Sequence, residues 1–314
     1  MTLLEQIEKA AAQLDAAGVA FGHGTSNAFD EAAWLVLWQL GLPLDSDLHS
    51  DEVSKMSLAP VNIEKIALLF EERIATRKPA AYLTQEAWLQ GVAFYVDERA
   101  IVPRSFIAEL LVNGALDAWL HPATHKVLDL CTGNGSLGIL AAMIFPEVEV
   151  AASDLSTEAL AVATINLEKH GLSGRINLFC ADGLDAERLE GPKLAACGPF
   201  DLILCNPPYV NARSMAALPP EYRAEPVLAL DGNLQGGTDG MDFIRKLLRD
   251  APAHMSPMAV LVIEVGNERM NFESAFPTLE IVWLETSAGE NQVLLVTRDA
   301  LMQAGAETDG RRAH

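Results

Sequence analysis

The sequence predicts an α/β protein: a doubly wound, mostly parallel sheet with helices on both faces, preceded by a small helical domain. Three observations carry that expectation. Beyond Arg104, short apolar runs alternate with helical or loop segments, as in a parallel sheet built from crossover connections. One of these runs, KVLDLC, passes through a glycine-rich turn into an apolar helix start. Residues 2–77 instead repeat their apolar side chains at helical spacing.

Taken in order, Leu3, Leu4, Ile7 and Leu14 mark one helical stripe. Trp34, Leu35, Leu37 and Trp38 mark a second, closed by Gly41 and Pro43, and Ile63, Ile66, Leu69 and Phe70 a third. Residues 1–80 therefore read as a helical domain. Over residues 81–104 aromatic and β-branched side chains gather around Gly91, as in a hairpin that links two domains. The third domain, residues 105–301, opens with the amphipathic segment AELLVNGALDAWL. Its strands are KVLDLC, VEVAASD, INLFCAD, FDLILCN, AVLVIEVG and NQVLLVT. The polar stretch 302–314 reads as a disordered tail.

Bulk composition narrows the function. No run reaches the roughly 18 apolar residues of a membrane span, and MTLLEQIEKA carries acids where a secretory signal carries bases. A cytoplasmic protein with no membrane partner is expected. Cys131, Cys180, Cys197 and Cys205 show no CxxC spacing and read as free thiols. His121 and His125 flank Pro122 without a third ligand, so no metal is expected. Acidic residues number 43 against 22 basic, a net charge of −21 that repels phosphate backbones and suits a cationic partner.

In such sheets ligands sit beyond the carboxyl ends of the strands, and the candidate residues gather there. Gly133, Gly135 and Gly138 follow the first strand with GxGxxG spacing, which lets backbone N–H groups approach a ligand. Asp154 closes the next strand, 19 positions after Gly135, where a carboxylate accepts both hydroxyls of a ribose. Asp182 with Gly183, and Asn206, end later strands. Together they outline an adenosine site.

The stretch FDLILCNPPYV then ends a buried strand in Asn206, Pro207, Pro208 and Tyr209. Two prolines offer carbonyls and no N–H groups in a restricted backbone. The Asn206 side-chain oxygen and the Pro207 carbonyl can take the two hydrogens of a planar NH2 group, and Tyr209 can cover its plane. Such acceptors stabilise positive charge developing on a nitrogen that attacks a methyl cation, by the logic an oxyanion hole applies to the opposite sign.

These residues resemble the S-adenosylmethionine-dependent amino-methyltransferases, and within them the glutamine methyltransferases that modify protein side-chain amides. The resemblance covers nearly the whole chain, through FGHGTSNAFDEAAWLVL, YLTQEAWLQGVAFYVDERAIVPRS, DLCTGNG, NPPY, QGGTDGMDF and VIEVGN. It implies a seven-stranded, Rossmann-like class I methyltransferase sheet, with the N-terminal helical domain recognising substrate. It further implies that Asp129, Cys131, Thr132, Gly133, Asn134, Gly135 and Asp154 hold the cosubstrate, with Asp182 and Gly183 near adenine. Asn206 to Tyr209 would hold the glutamine, with Asn206, Pro207 and Tyr209 catalytic and S-adenosylhomocysteine as product. The release-factor branch shows Pro-Arg-Pro before an acid, Thr and Glu; here Pro103, Arg104, Ser105, Phe106, Ile107, Ala108 and Glu109 resemble the branch acting on large-subunit ribosomal protein L-three. A basic ribosomal protein, free or in an assembling particle, is then the expected partner.

Rival readings leave features unused. A DNA or RNA amino-methyltransferase shares the acceptor motif but normally brings a basic track, absent from this acidic chain. An NAD-dependent oxidoreductase built on GxGxxG leaves residues 206–209 without a role. Three smaller points stay open in the sequence. Arg104 can close over a cosubstrate carboxylate or pair with Glu109. Gly236, Gly237 and Gly240 form either a mobile loop or a capped turn before a helix near Met241. Trp34 and Trp38 either dock substrate or pack the helical core.

Overall fold

The structure, a computed structural model, describes residues 1–184 and 194–312. Four helices, Leu3–Ala16, Ala28–Leu40, Asp51–Ser54 and Pro60–Thr76, form the N-terminal helical region, followed by a turn of helix at Ala80–Thr84. Thr2 and Glu5 close a capping box on the first helix. Gly41 ends the second at φ 65°, a left-handed conformation suited to glycine. Leu3, Ile7, Leu14, Leu35, Leu37, Ile66 and Phe70 fill the centre between them. Trp34 packs against this core, whereas Trp38 stays exposed.

β1 (Glu86–Leu89) and β2 (Val92–Tyr95) pair as the expected antiparallel hairpin. The main sheet holds β3 (Lys126–Leu130), β4 (Glu149–Asp154), β5 (Ile176–Cys180), β6 (Phe200–Cys205), β7 (Met255–Glu264), β8 (Val282–Thr286) and β9 (Gly289–Thr297). Its spatial order is β5-β4-β3-β6-β7-β9-β8, parallel from β5 to β7 and antiparallel through β9 and β8. Alternation splits the core. Val127, Leu202, Leu204 and Val262 pack on one face, and Leu128, Ile203, Cys205 and Ile263 on the other.

Three elements differ from the sequence expectation. β8 was not among the predicted runs: it is an edge strand of alternating burial, and its apolar stretch, residues 281–284, is short and bounded by Glu280 and Glu285. The amphipathic segment after Arg104 is α-helical only over Ile107–Val112, with a turn of 3-10 helix at Asp117–Trp119; Gly114, at φ 74°, breaks it, and Asn113 Oδ1 accepts from Ala115 N. At the C-terminus, positions 313 and 314 lie outside the described residues, and residues 302–312 of the expected tail continue a helix, Arg298–Arg312. Its start is anchored because Ala300 and Leu301 are buried against the sheet and Thr297 Oγ1 accepts from Ala300 N. No described helix is long and apolar enough to cross a membrane.

Candidate active site

The carboxyl edge of the sheet brings the predicted residues into one row. Register pairs Leu130 with both Ser153 and Cys205, Asp154 with Cys180, and Cys205 with Ile263. One residue further along, Asp154, Cys131, Asn206 and Glu264 therefore stand side by side on β4, β3, β6 and β7. A cavity of about 960 Å³ opens over this row. Cys131, Thr132, Gly133, Asn134, Asp154, Asp182, Gly183 and the whole 206–209 stretch line it.

The glycine turn is shaped from beneath. Cys131 adopts φ 61°, a left-handed conformation costly for a residue with a β-carbon. Gly133 N donates to Asp154 Oδ2 at 2.9 Å, and Ser156 N donates to Oδ1 at 2.9 Å. Each Asp154 oxygen has a further lone pair beyond these bonds, and the residue lines the cavity, which fits a ribose diol. Gly135 caps the helix Ser136–Ile144, and a β-carbon there would press on Ala163 at 3.2 Å. Gly135 therefore serves close packing of backbone on helix. Asp182 Oδ1 lies 3.2 Å from Lys246 Nζ, which also donates to the Asp182 carbonyl.

Asp129, like Gly135, stands apart from the other predicted cosubstrate residues, which line the cavity. It is fully buried beneath the turn, where Oδ2 accepts from Thr132 Oγ1 and from Gly138 N, and it does not line the cavity. Burial pushes its carboxyl up to about 7. The structure thus corrects two expectations: Asp129 buttresses the turn, and Gly138 gives its amide to Asp129 and not to a ligand.

At the other end of the row, Asn206 is half-buried in the cavity wall, and no described residue holds its side-chain amide by a hydrogen bond. Pro207 and Pro208 are buried. The Tyr209 ring lies so close over Gly266 that a β-carbon at 266 would stand 2.6 Å from it, and one at Gly240 would stand 2.1 Å from the Tyr209 carbonyl oxygen. Burial raises the Tyr209 phenol well above its ordinary value, so it stays neutral. Gly266→Ala should displace the ring and lower kcat roughly tenfold, the equivalent of ~1.4 kcal/mol, with cosubstrate affinity unchanged. Steady-state kinetics beside a binding titration checks this.

The loop at 235–242 resolves as a capped turn. Asp242 Oδ2 accepts from Gln235 N and Gly237 N, and Asn233 ties Gly240 N to the Val210 carbonyl, fixing the exit from the proline pair. Arg104 takes neither expected course. Its Nη1 and Nη2 reach Glu225 Oε1 and Oε2 at 2.6 and 2.7 Å, while Glu109 accepts from Ser287 N and Oγ. His121 Nδ1 accepts from Ala123 N in an exposed turn.

Several site residues escaped the sequence reading. Residues 218–228 form a wall that joins the helical region to the cavity. Glu221 accepts from Arg77 Nη1 at 3.2 Å, and Arg73 Nη1 lies 3.8 Å away while its Nε donates to Glu31 at 2.8 Å. The Tyr222 ring centroid lies 4.3 Å from that of His23, and a β-carbon at Gly22 would collide with the Tyr222 hydroxyl at 2.0 Å. Glu225 meets His23 Nε2 at 3.3 Å and accepts from Val102 N. Burial opposes the Glu225 charge, yet Arg104 and His23 overcome it and hold the carboxyl at about 2. One signal was available: two acids, Glu221 and Glu225, within the proline-flanked segment PPEYRAEP, both of them among the few buried acids.

Comparison with known proteins agrees with this geometry. Residues 108–235 match the family model described as "Methyltransferase small domain". A curated "Ribosomal protein uL3 glutamine methyltransferase" from Burkholderia pseudomallei is 48% identical, covering 94% of this chain and 94% of its own length. One of the same description from Bordetella pertussis is 46% identical, with 96% of each chain covered. Among solved structures, the hMettl16 catalytic domain in complex with MAT2A 3'UTR hairpin 1 matches with a TM-score of 0.50 at 11% identity, over 78% of this chain and 83% of that one. At that identity the likeness concerns the fold alone.

Proposed function

Because the chain belongs to the family of ribosomal protein uL3 glutamine methyltransferases, we propose that it methylates the side-chain amide nitrogen of one glutamine in uL3, and that Asn206 to Tyr209 hold that amide. One observation carries the site assignment. Asn206, with no hydrogen bond to a described residue, borders the same cavity as the Gly133–Asp154 turn, one strand away. S-adenosylmethionine supplies the electrophilic methyl group. Asp154 takes the ribose hydroxyls, the 131–135 turn lies along the cosubstrate's tail, and Asp182 with Gly183 borders the adenine.

The acceptor amide is a poor nucleophile because its lone pair is conjugated with its carbonyl. As that conjugation is lost, positive charge gathers on nitrogen. Asn206 Oδ1 and the Pro207 carbonyl face this charge as fixed acceptors, and the Tyr209 ring covers it. Alignment of the two reactants supplies much of the remaining acceleration. The charge of −21 favours encounter with a basic ribosomal protein, and the target glutamine has to be reachable, so free or partly assembled uL3 is the substrate of this reading.

Methyl incorporation tests it directly. Purified protein with labelled S-adenosylmethionine should label isolated uL3 at a single glutamine, located by mass spectrometry. Label found only in stripped ribosomal RNA or DNA, or only in a peptide chain release factor, overturns the reading.

A further inference from the structure

Glu264 is a buried carboxyl that the account above leaves without a task. It ends β7 as Asn206 follows β6, and the register Cys205 with Ile263 makes the two next-door neighbours, about 4.8 Å apart along the hydrogen-bonding direction. The alternation that sends Leu202, Leu204, Val260 and Val262 to one face continues through both residues. Glu264 lines the cavity although only 3% exposed. Its Oε2 accepts from Ser105 Oγ at 2.6 Å and Phe106 N at 2.9 Å; no bond of ordinary geometry reaches Oε1 from the described residues.

Resting on the reading of the site as a glutamine methyltransferase, we propose that Glu264 is a further catalytic residue, the group that takes the proton released by the methylated amide. The amide nitrogen's lone pair forms the N–C bond while the C–S bond breaks and its electrons remain on sulfur. The nitrogen then carries the positive charge. Its proton passes to Glu264 Oε1, leaving a neutral N-methyl amide, a neutral thioether and a neutral carboxylic acid, which returns the proton to water when product leaves.

The surroundings suit the task. Burial raises the Glu264 carboxyl to about 7; hydrogen bonds from Ser105 and the Phe106 amide and the charge of Arg104 only partly offset it. Tyr209 faces it from the 206–209 stretch, Arg104 from the segment before Ser105, and Glu268 follows on its own strand's exit; both Glu264 and Glu268 act on Tyr209. An acid of ordinary strength would hold the proton too weakly at neutrality, and one far stronger as a base would never return it.

Two readouts on the full chain test this. In protein without cosubstrate, infrared spectroscopy should show a carboxyl band that titrates near neutrality and is missing from Glu264→Gln; identical spectra overturn the assignment. In single-turnover transfer to uL3, the wild-type rate should fall as pH drops through about 7. Glu264→Gln should be slowed roughly 10- to 100-fold at pH 8 and lose that inflection, with S-adenosylhomocysteine binding unchanged. A variant within about threefold of wild type, or one that keeps the inflection, overturns the proposal, the inflection then belonging to Asp129. Should Glu264→Gln fail to fold, Glu264→Asp has to keep the inflection at reduced rate, and a flat wild-type profile overturns the proposal by itself. Wild type that labels uL3 with no dependence on Glu264 separates this failure from failure of the functional reading, in which uL3 stays unlabelled.

Discussion

Asn206→Ala is expected to lower methyl transfer by about 10²- to 10³-fold, or ~3 kcal/mol in the transition state, by analogy with loss of one oxyanion donor. The effect should fall on kcat. Among the described residues nothing is hydrogen-bonded to this side chain, so its removal leaves no buried partner unsatisfied and should hardly move the thermal midpoint. Binding of S-adenosylhomocysteine should also stay near wild type, because the glycine turn and Asp154 lie one and two strands away. A variant that transfers methyl at the wild-type rate would remove Asn206 from the chemistry. Asn206→Asp is a sharper control: a carboxylate retains the acceptor oxygen yet brings a full charge and no amide donor, so any residual activity reports how much of the role is acceptance alone.

The second large effect is on stability. Glu225→Ala should destabilise the protein by ~3–5 kcal/mol, because it strips the partner from Arg104 and from the buried His23 and leaves Val102 N unpaired. Glu225→Gln should lose less, since it still accepts from Val102 N. The sign with pH follows from the depressed carboxyl. Its contribution is complete above the ordinary carboxylate value of 4.5 and is lost as pH falls toward about 2. Acid unfolding of wild type should therefore be steeper than that of Glu225→Gln over this window, as followed by circular dichroism. Since Tyr222, Val227 and Leu228 line the cavity, both variants should also raise KM for uL3 more than for S-adenosylmethionine. Unchanged unfolding midpoints would show that this ion pair holds nothing together.

Much of this was legible because it is local. Helix stripes such as Leu3, Ile7 and Leu14, the turn at Gly133 and Gly135, and the stop enforced by Pro207 and Pro208 all follow from the conformational limits of a few adjacent residues. The strand runs were visible where both faces are buried, as in β6, whereas the edge strand β8 was missed although residues 281–284 are apolar, that stretch being short and bounded by Glu280 and Glu285. Asn206 and Asp154 could be placed at strand ends without knowing which strands are neighbours.

The sequence by itself determined the α/β class, the glycine turn and the strand end at Asn206 to Tyr209, since those depend on backbone restriction and short-range periodicity. Only the tertiary structure decided which carboxylates matter and in what state. Asp129 went beneath the turn, Arg104 found Glu225 across 121 positions of chain, Arg77 found Glu221 across 144, and Glu264 came to stand beside Asn206. A charge's partner and its desolvation are properties of the packed neighbourhood. They are set by contacts between segments whose separation along the chain carries no trace of their meeting.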